Sequence, residues 1–275
     1  MRDFNIRKLQ MKEMEILNEV NRICEEHNIK YYLTWGSALG AVRHKGFIPW
    51  DDDIDISMFW DDYVKFEEVC KEELDSKFFF QNVDTDKDNW VGWNRIRMNN
   101  TTSMYPDLNH MKCHWGICMD VFPIIAIPNS KFKRIMQDIK SRLYRFICFK
   151  PLVIKNPEKH SKAKYIVYRV LPDYLLSRLR KYCLKSITKY SIKENSMCGE
   201  LLDLSYKKAI TPKEIYGEPK FMVFENKKFP LPSQYDEYLT RAYGDYMKLP
   251  DECERVGHGN IIIDTENSYK RYTLV

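Results

Sequence analysis

The stretch Trp50-Asp51-Asp52-Asp53-Ile54-Asp55-Ile56-Ser57-Met58 constrains this chain more than any other. From Asp53 to Met58, polar and apolar residues alternate with the period of two that marks a strand whose faces meet different surroundings. Ile54 and Ile56 then enter a core. Asp53 and Asp55 stand on the opposite face, about 7 Å apart along the strand. Asp51 joins that face if the strand begins early. Gathering so much like charge costs free energy, which a divalent cation would offset. An acidic run taken alone also reads as a solvated loop, so the assignment needs other elements.

Two such elements exist. Upstream, Tyr31-Tyr32-Leu33-Thr34 reads as a short strand, Trp35-Gly36-Ser37 as the turn after it, and residues 37–44 as a short helix capped by Ser37. Gly36 lets the backbone approach a phosphate closely, and a helix N-terminus beside the Ser37 hydroxyl is an anion site. Downstream, Asp120 interrupts the apolar run Ile117 to Phe122. A carboxylate in such a strand requires a compensating group, and a metal is a natural one. Asp51, Asp53, Asp55 and Asp120 are therefore the candidate metal ligands, with Asp53, Asp55 and Asp120 the candidate catalytic residues. Mg²⁺, which takes carboxylate, phosphate and water oxygens, suits them. Mn²⁺ is the alternative, as one ion or two.

The surrounding pattern predicts an α/β (α+β) fold: a mixed sheet flanked by helices, with a basic helical insertion. Residues 5–27 show apolar positions at helical spacing, closed by Asn28. A helix follows the acidic strand to about Leu74, and residues 78–83, 94–98 and 116–122 read as strands. This alternation defines a catalytic core over 1–128. In residues 129–194 the pattern is helical, with one apolar stripe through Phe132, Ile135, Met136, Ile139, Leu143 and Phe146 and another through Leu175, Leu176, Leu179 and Tyr182. Residues 195–275 form a C-terminal part packing on the core. It has a capping box at Thr211 to Glu214, a strand near 221–225 and a helix over 233–243 ended by Gly244.

Charge is unevenly distributed. Residues 131–194 hold 18 Lys and Arg against four acids, a net of +14 inside a chain whose total is +5. That arm faces something anionic, either the inner leaflet of a membrane or solvent alone. No nucleic-acid motif accompanies it, so nucleic acid is not expected. No apolar run reaches the ~20 residues of a membrane span, and the N-terminus lacks a signal-peptide core. The eight cysteines contain no CxxC pair and read as reduced thiols. A cytoplasmic protein is expected, peripheral at the inner face of the membrane.

The string from Trp35 through Gly36-Ser37-Ala38-Leu39-Gly40 and Arg43-His44-Lys45-Gly46-Phe47-Ile48-Pro49 to Asp55-Ile56 resembles the LicD family of phosphocholine transferases. That family has a nucleotidyltransferase fold and is related to the fukutin-type ribitol-phosphate transferases. Arg95-Ile96-Arg97, Gly116-Ile117, Asp120-Val121-Phe122-Pro123, Tyr243-Gly244-Asp245 and Arg255 to His258 extend the likeness; the basic middle does not match. The resemblance implies Mg²⁺-dependent transfer of phosphocholine from CDP-choline, or another phospho-alcohol from its CDP-alcohol, onto a glycan or lipid-linked glycan hydroxyl, with CMP released. Asp53 and Asp55 would hold the metal with Asp51 assisting. Asp120 would be the third ligand or the base, and Gly36 and Ser37 would cradle the diphosphate. Arg43, Arg95, Arg97 and His258 are further candidates for donor binding, and Trp50, Trp90, Trp93, Trp115 and Tyr105 for a choline cage. Two other readings stand beside this one: a true nucleotidyltransferase releasing pyrophosphate, and a catalytically silent membrane-docking assembly protein.

Overall fold

Strand β6 (Cys118–Ile127) is the axis of the protein, and its ten residues are apolar and buried except at its first turns of chain, where Cys118 and Asp120 are half-buried. Such a run is what a central strand covered on both faces requires. The computed structural model describes residues 6–203, 209–257, 259 and 261–273. Against β6 lie β2 (Asp55–Phe59) in parallel and β4 (Asn94–Met98) antiparallel. β1 (Tyr32–Leu33) extends the sheet beyond β2, and β3 (Phe78–Gln81) beyond β4. The far end of β6 pairs with β7 (Met197–Gly199), which pairs in turn with β8 (Thr211–Pro212), giving a seven-stranded mixed sheet. The expected mixed α/β architecture is the one observed.

Helix α1 (Ile6–Glu26) covers the sheet with Leu9, Met14, Ile16, Leu17, Val20 and Ile23, all buried. It follows the sequence periodicity within one residue at either end. α2 (Trp35–Arg43) links β1 to the acidic loop, and α3 (Trp60–Glu73) follows β2 directly. Two differences from expectation occur here. β2 begins at Asp55, so Asp51 to Asp53 form an extended approach to the strand and are not part of it. α2 begins at Trp35, so Ser37 lies inside its first turn and does not cap it.

The basic segment contains α4 (Lys131–Cys148), α5 (Lys150–Lys155), α6 (Lys162–Val170) and α7 (Asp173–Ile187). α4 and α7 pack together over a second cluster holding Ile125, Ile127, Tyr144, Cys183 and Ile187. The apolar stripe of α4 is largely outward: Gln137, Ser141 and Tyr144 are buried, while Phe132, Ile135, Met136 and Ile139 are exposed. Inward polar groups are satisfied by carbonyls, Gln137 donating to Ala126 O and Ile187 O, and Ser141 to Leu201 O.

The chain then returns to the main core. Phe224 of β9 (Lys220–Phe224), Phe229 and Leu231 of β10 (Lys227–Leu231), and Leu239 of α8 (Tyr235–Tyr243) share a cluster with Ile54, Ile56 and Val121. Gly244, at φ +71°, ends α8 as expected. Thr211 to Glu214 departs from expectation, being β8 followed by a single 3₁₀ turn instead of a helix start. All eight cysteines are free thiols, as the sequence suggested. Among the described residues no helix is long and apolar enough to cross a membrane.

Candidate active site

The parallel register of β2 and β6 sets Asp55 directly beside Asp120. The backbone links run Thr34 N to Asp55 O (3.1 Å) and Asp120 N to Ile54 O (3.1 Å), so α2's first turn, the acidic loop and β6 meet at one place. Ser37 Oγ accepts the Asp55 amide at 2.9 Å, which ties the first turn of α2 to the start of β2. Gly36 stands against the acidic loop: a Cβ built on it would lie 2.5 Å from Asp51 Oδ2. Any larger residue there would displace that carboxylate. From the other side, Gln10 of α1 donates to Ile48 O (3.3 Å) and Asp51 O (3.0 Å) and so fixes the loop's path.

Burial, followed by the charges of Asp53, Asp120, Asp51 and Glu200, pushes the Asp55 carboxyl well above the usual carboxylate range. Glu13 on α1 is buried too and is raised by that burial and then by Asp53, Asp51 and Asp52. Among the described residues its Oε2 has no hydrogen-bond partner. A crowd of oxygen donors that cannot all stay ionised, one of them an orphan, fits a hard divalent cation. The carboxylates are nevertheless not closed into a tight cage. Among the described residues, the three-membered set of ligating atoms within 4.8 Å is Glu26, His27 and Glu73, an exposed group at the end of α1.

Arg95, the cross-strand neighbour of Asp120, is ion-paired with it, and Trp93 Nε1 donates to Asp120 Oδ1 at 3.0 Å. Arg95 therefore serves the site through the third aspartate. Arg97, expected beside it on donor phosphate, is buried with Nε on Gln81 Oε1 (2.5 Å) and Nη1 on Gly116 O (2.7 Å). Those contacts tie its guanidinium to the sheet. Arg43 lines a cleft of about 460 Å³ with Gly36, Trp50, Asp51, Tyr243 and Glu254, and donates to Tyr246 O at 2.8 Å. Trp50 of that cleft also meets Arg255, whose guanidinium carbon lies 5.6 Å from the ring centroid. Trp115 is buried against Trp90 and Tyr105 in a separate small cluster, so the aromatic candidates are divided between places. His258 lies outside the described residues.

Several site residues were not picked out from the sequence. Trp35 has φ +49°, a strained backbone for a bulky side chain. Its indole donates to Glu200 Oε2 at 2.8 Å and its amide to Tyr238 OH at 3.2 Å. Glu200 also accepts from Ser57 Oγ at 2.6 Å, and Ser57 bonds Thr34. Burial pushes the Glu200 carboxyl up to about 7 despite those two bonds. No local pattern marks Glu200. Glu13 did carry a signal, an acid on the apolar stripe of α1.

An in-register aspartate pair and an acidic loop meet Gly36 and Ser37 in the first turn of α2 beside a cleft, and residues 28–142 match the family described as LicD/FKTN/FKRP, nucleotidyltransferase domain. The LicD resemblance read from the sequence therefore holds. The chain is 29% identical over 262 residues to the lipopolysaccharide cholinephosphotransferase LicD of Haemophilus influenzae, covering 94% of this chain and 97% of that protein. It is 37% identical over 54 residues to the ribitol 5-phosphate transferase FKRP of human and mouse, 20% of this chain and 11% of theirs.

Proposed function

We propose that this chain transfers a phospho-alcohol, phosphocholine from CDP-choline foremost, onto a hydroxyl of a surface glycan or its lipid-linked precursor and releases CMP. The observation that carries the reading is the pairing of Asp55 with Asp120 beside the cleft of Gly36, Arg43, Trp50 and Asp51. The likeness to a cholinephosphotransferase along nearly the whole chain supports the choice of alcohol.

Asp53 and Asp55 would hold one or two Mg²⁺ or Mn²⁺, with Asp51, Asp120 and the orphaned Glu13 oxygen as further donors. A bound divalent cation would offset the charge of two adjacent phosphates as the acceptor oxygen approaches. The acceptor oxygen bonds to the phosphorus bearing the alcohol, the bond from that phosphorus to CMP breaks, and CMP leaves with the bridging oxygen. The acceptor's proton passes to a carboxylate at the strand ends, where Asp120 is oriented by Arg95 and Trp93. First-turn amides of α2 at Gly36 and Ser37 face the anionic donor. Arg43 adds a positive charge to the cleft, and Trp50 a ring on which the nucleotide or a quaternary ammonium can rest.

The test is CMP release from CDP-choline with Mg²⁺ and a glycan acceptor extract, run beside other CDP-alcohols. Metal-dependent CMP from CDP-choline is expected. Release only from another CDP-alcohol overturns the choice of choline. Pyrophosphate from a nucleoside triphosphate, with no CMP from any CDP-alcohol, overturns the chemistry.

A further inference from the structure

Helix α4 presents its hydrophobic side to solvent. Gln137, Ser141, Tyr144 and Cys148 mark its buried face, at the three-to-four spacing of a single helical side. Phe132, Ile135, Met136 and Ile139 share the same spacing and fall on the opposite side. They are 72%, 58%, 36% and 51% exposed. A helix serving only as a lid on the core would carry the reverse arrangement. Here polar side chains do much of the internal anchoring, and the large apolar ones turn much of their surface to solvent.

The edges of this stripe are cationic. At about 100° per residue, Lys131 and Arg142 flank it on one side and Lys133 and Lys140 on the other. Tyr182 of α7 lies beside it, 59% exposed, with Lys140 Nζ 5.0 Å from its ring centroid. On α6, Ile166, Val167 and Val170 are likewise exposed, opposite the buried Tyr168. An apolar strip between two rows of Lys and Arg, with aromatic side chains among them, is the composition of a helix lying in a lipid interface. A second copy of the same face is disfavoured by charge, since the segment carries net +14. Nucleic acid would reward the cations but not Phe132, Ile135 and Ile139.

We propose that α4 lies in the plane of an anionic bilayer surface, with Phe132, Ile135, Met136 and Ile139 at the boundary between headgroups and acyl chains and the flanking Lys and Arg on acidic headgroups. This deepens the proposed function by naming the surface on which a lipid-linked acceptor is met. It depends on that reading for its purpose and not for its test, since vesicle binding involves no donor and no turnover.

The experiment is sedimentation of the full chain with vesicles of phosphatidylcholine containing phosphatidylglycerol, and with vesicles of phosphatidylcholine alone. The wild type is expected on the anionic vesicles only. The triple change Phe132→Gln, Ile135→Gln, Ile139→Gln is expected to weaken binding at least hundredfold with an unaltered melting temperature, because these side chains are solvent-exposed. Lys131→Gln with Lys133→Gln is expected to cost roughly fivefold per charge, and less as salt rises. Absence of wild-type binding to anionic vesicles overturns the proposal. So does wild-type affinity in the triple variant, which leaves charge alone as the cause. A dimer that the triple change converts to monomer while vesicle binding persists assigns the stripe to a second copy instead.

Discussion

Replacing Glu200 with Gln should separate the cost of a buried charge from the value of its hydrogen bonds. The side chain is 3% exposed, and burial raises its carboxyl from 4.5 to about 7 while Ser57 and Trp35 donate to it. Between those two values the native state holds a proton that the unfolded chain has released. Stability therefore falls as pH rises through the window, and is restored as pH falls toward 4.5. At 1.36 kcal/mol per pH unit the whole effect is about 3 kcal/mol, of which roughly 2–3 kcal/mol falls between pH 5 and pH 8. Gln keeps the shape, can accept from Trp35, and can donate to Ser57, whose hydroxyl is free to turn. The variant lacks the titration. Urea unfolding of both proteins with chelator present, at pH 5, 6, 7 and 8, gives the comparison. Taking the difference between the proteins at each pH removes the contribution of His114, which burial lowers to about 3 and which acts in the opposite direction. Glu200→Gln should gain on the wild type steadily across the series. Parallel curves for the two proteins would refute the buried-charge reasoning.

Asp53→Asn or Asp55→Asn should lower transfer by roughly 100- to 1,000-fold, since each removes a carboxylate proposed to hold the divalent cation that offsets the charge of the donor phosphates. The melting temperature should not fall, because burial already disfavours ionised Asp55; retained turnover in both variants would remove the acidic loop from the chemistry. Gly36→Ala would place a Cβ 2.5 Å from Asp51 Oδ2 and so displace that carboxylate. A rise in KM for the donor of roughly tenfold or more is expected from steady-state kinetics, and an unchanged KM would show that Asp51 can move without consequence.

Elements governed by local pattern were legible in the chain. α1 needs only a repeating apolar stripe, and Asn94–Met98 only a short alternation, so both lie where the pattern puts them. Asp55 and Asp120, which the register sets side by side, could be singled out because an acid in an apolar strand needs a reason wherever the strand goes. What escaped depends on which strand lies beside which. Arg95 could not be assigned to Asp120 before β4 was known to pair antiparallel with β6. Arg97, two residues on, seemed equivalent by alternation, yet its surroundings differ because Gln81 of β3 reaches it. Ser37 was read as a cap because Ser commonly is one, but Trp35 adopts a positive φ and starts the helix two residues early. Periodicity found the stripe on α4 but could not say which side the core would take.

The family match begins at residue 28 and stops at residue 142, yet the molecule does not come apart at those points. Leu9, Ile16, Leu17 and Val20 before that span, and Phe224, Phe229, Leu231 and Leu239 after it, fill the same core as Ile54, Ile56 and Val121. Glu13 under the acidic loop, Glu200 behind Trp35 and Tyr243 across the cleft also come from outside it. The span that matches the family is thus not a portable module. A hybrid that grafts it onto a relative's flanks would have to rebuild one wall of the cleft and both coverings of the sheet. Differences in substrate among these proteins can therefore be written in segments that short local comparisons never reach.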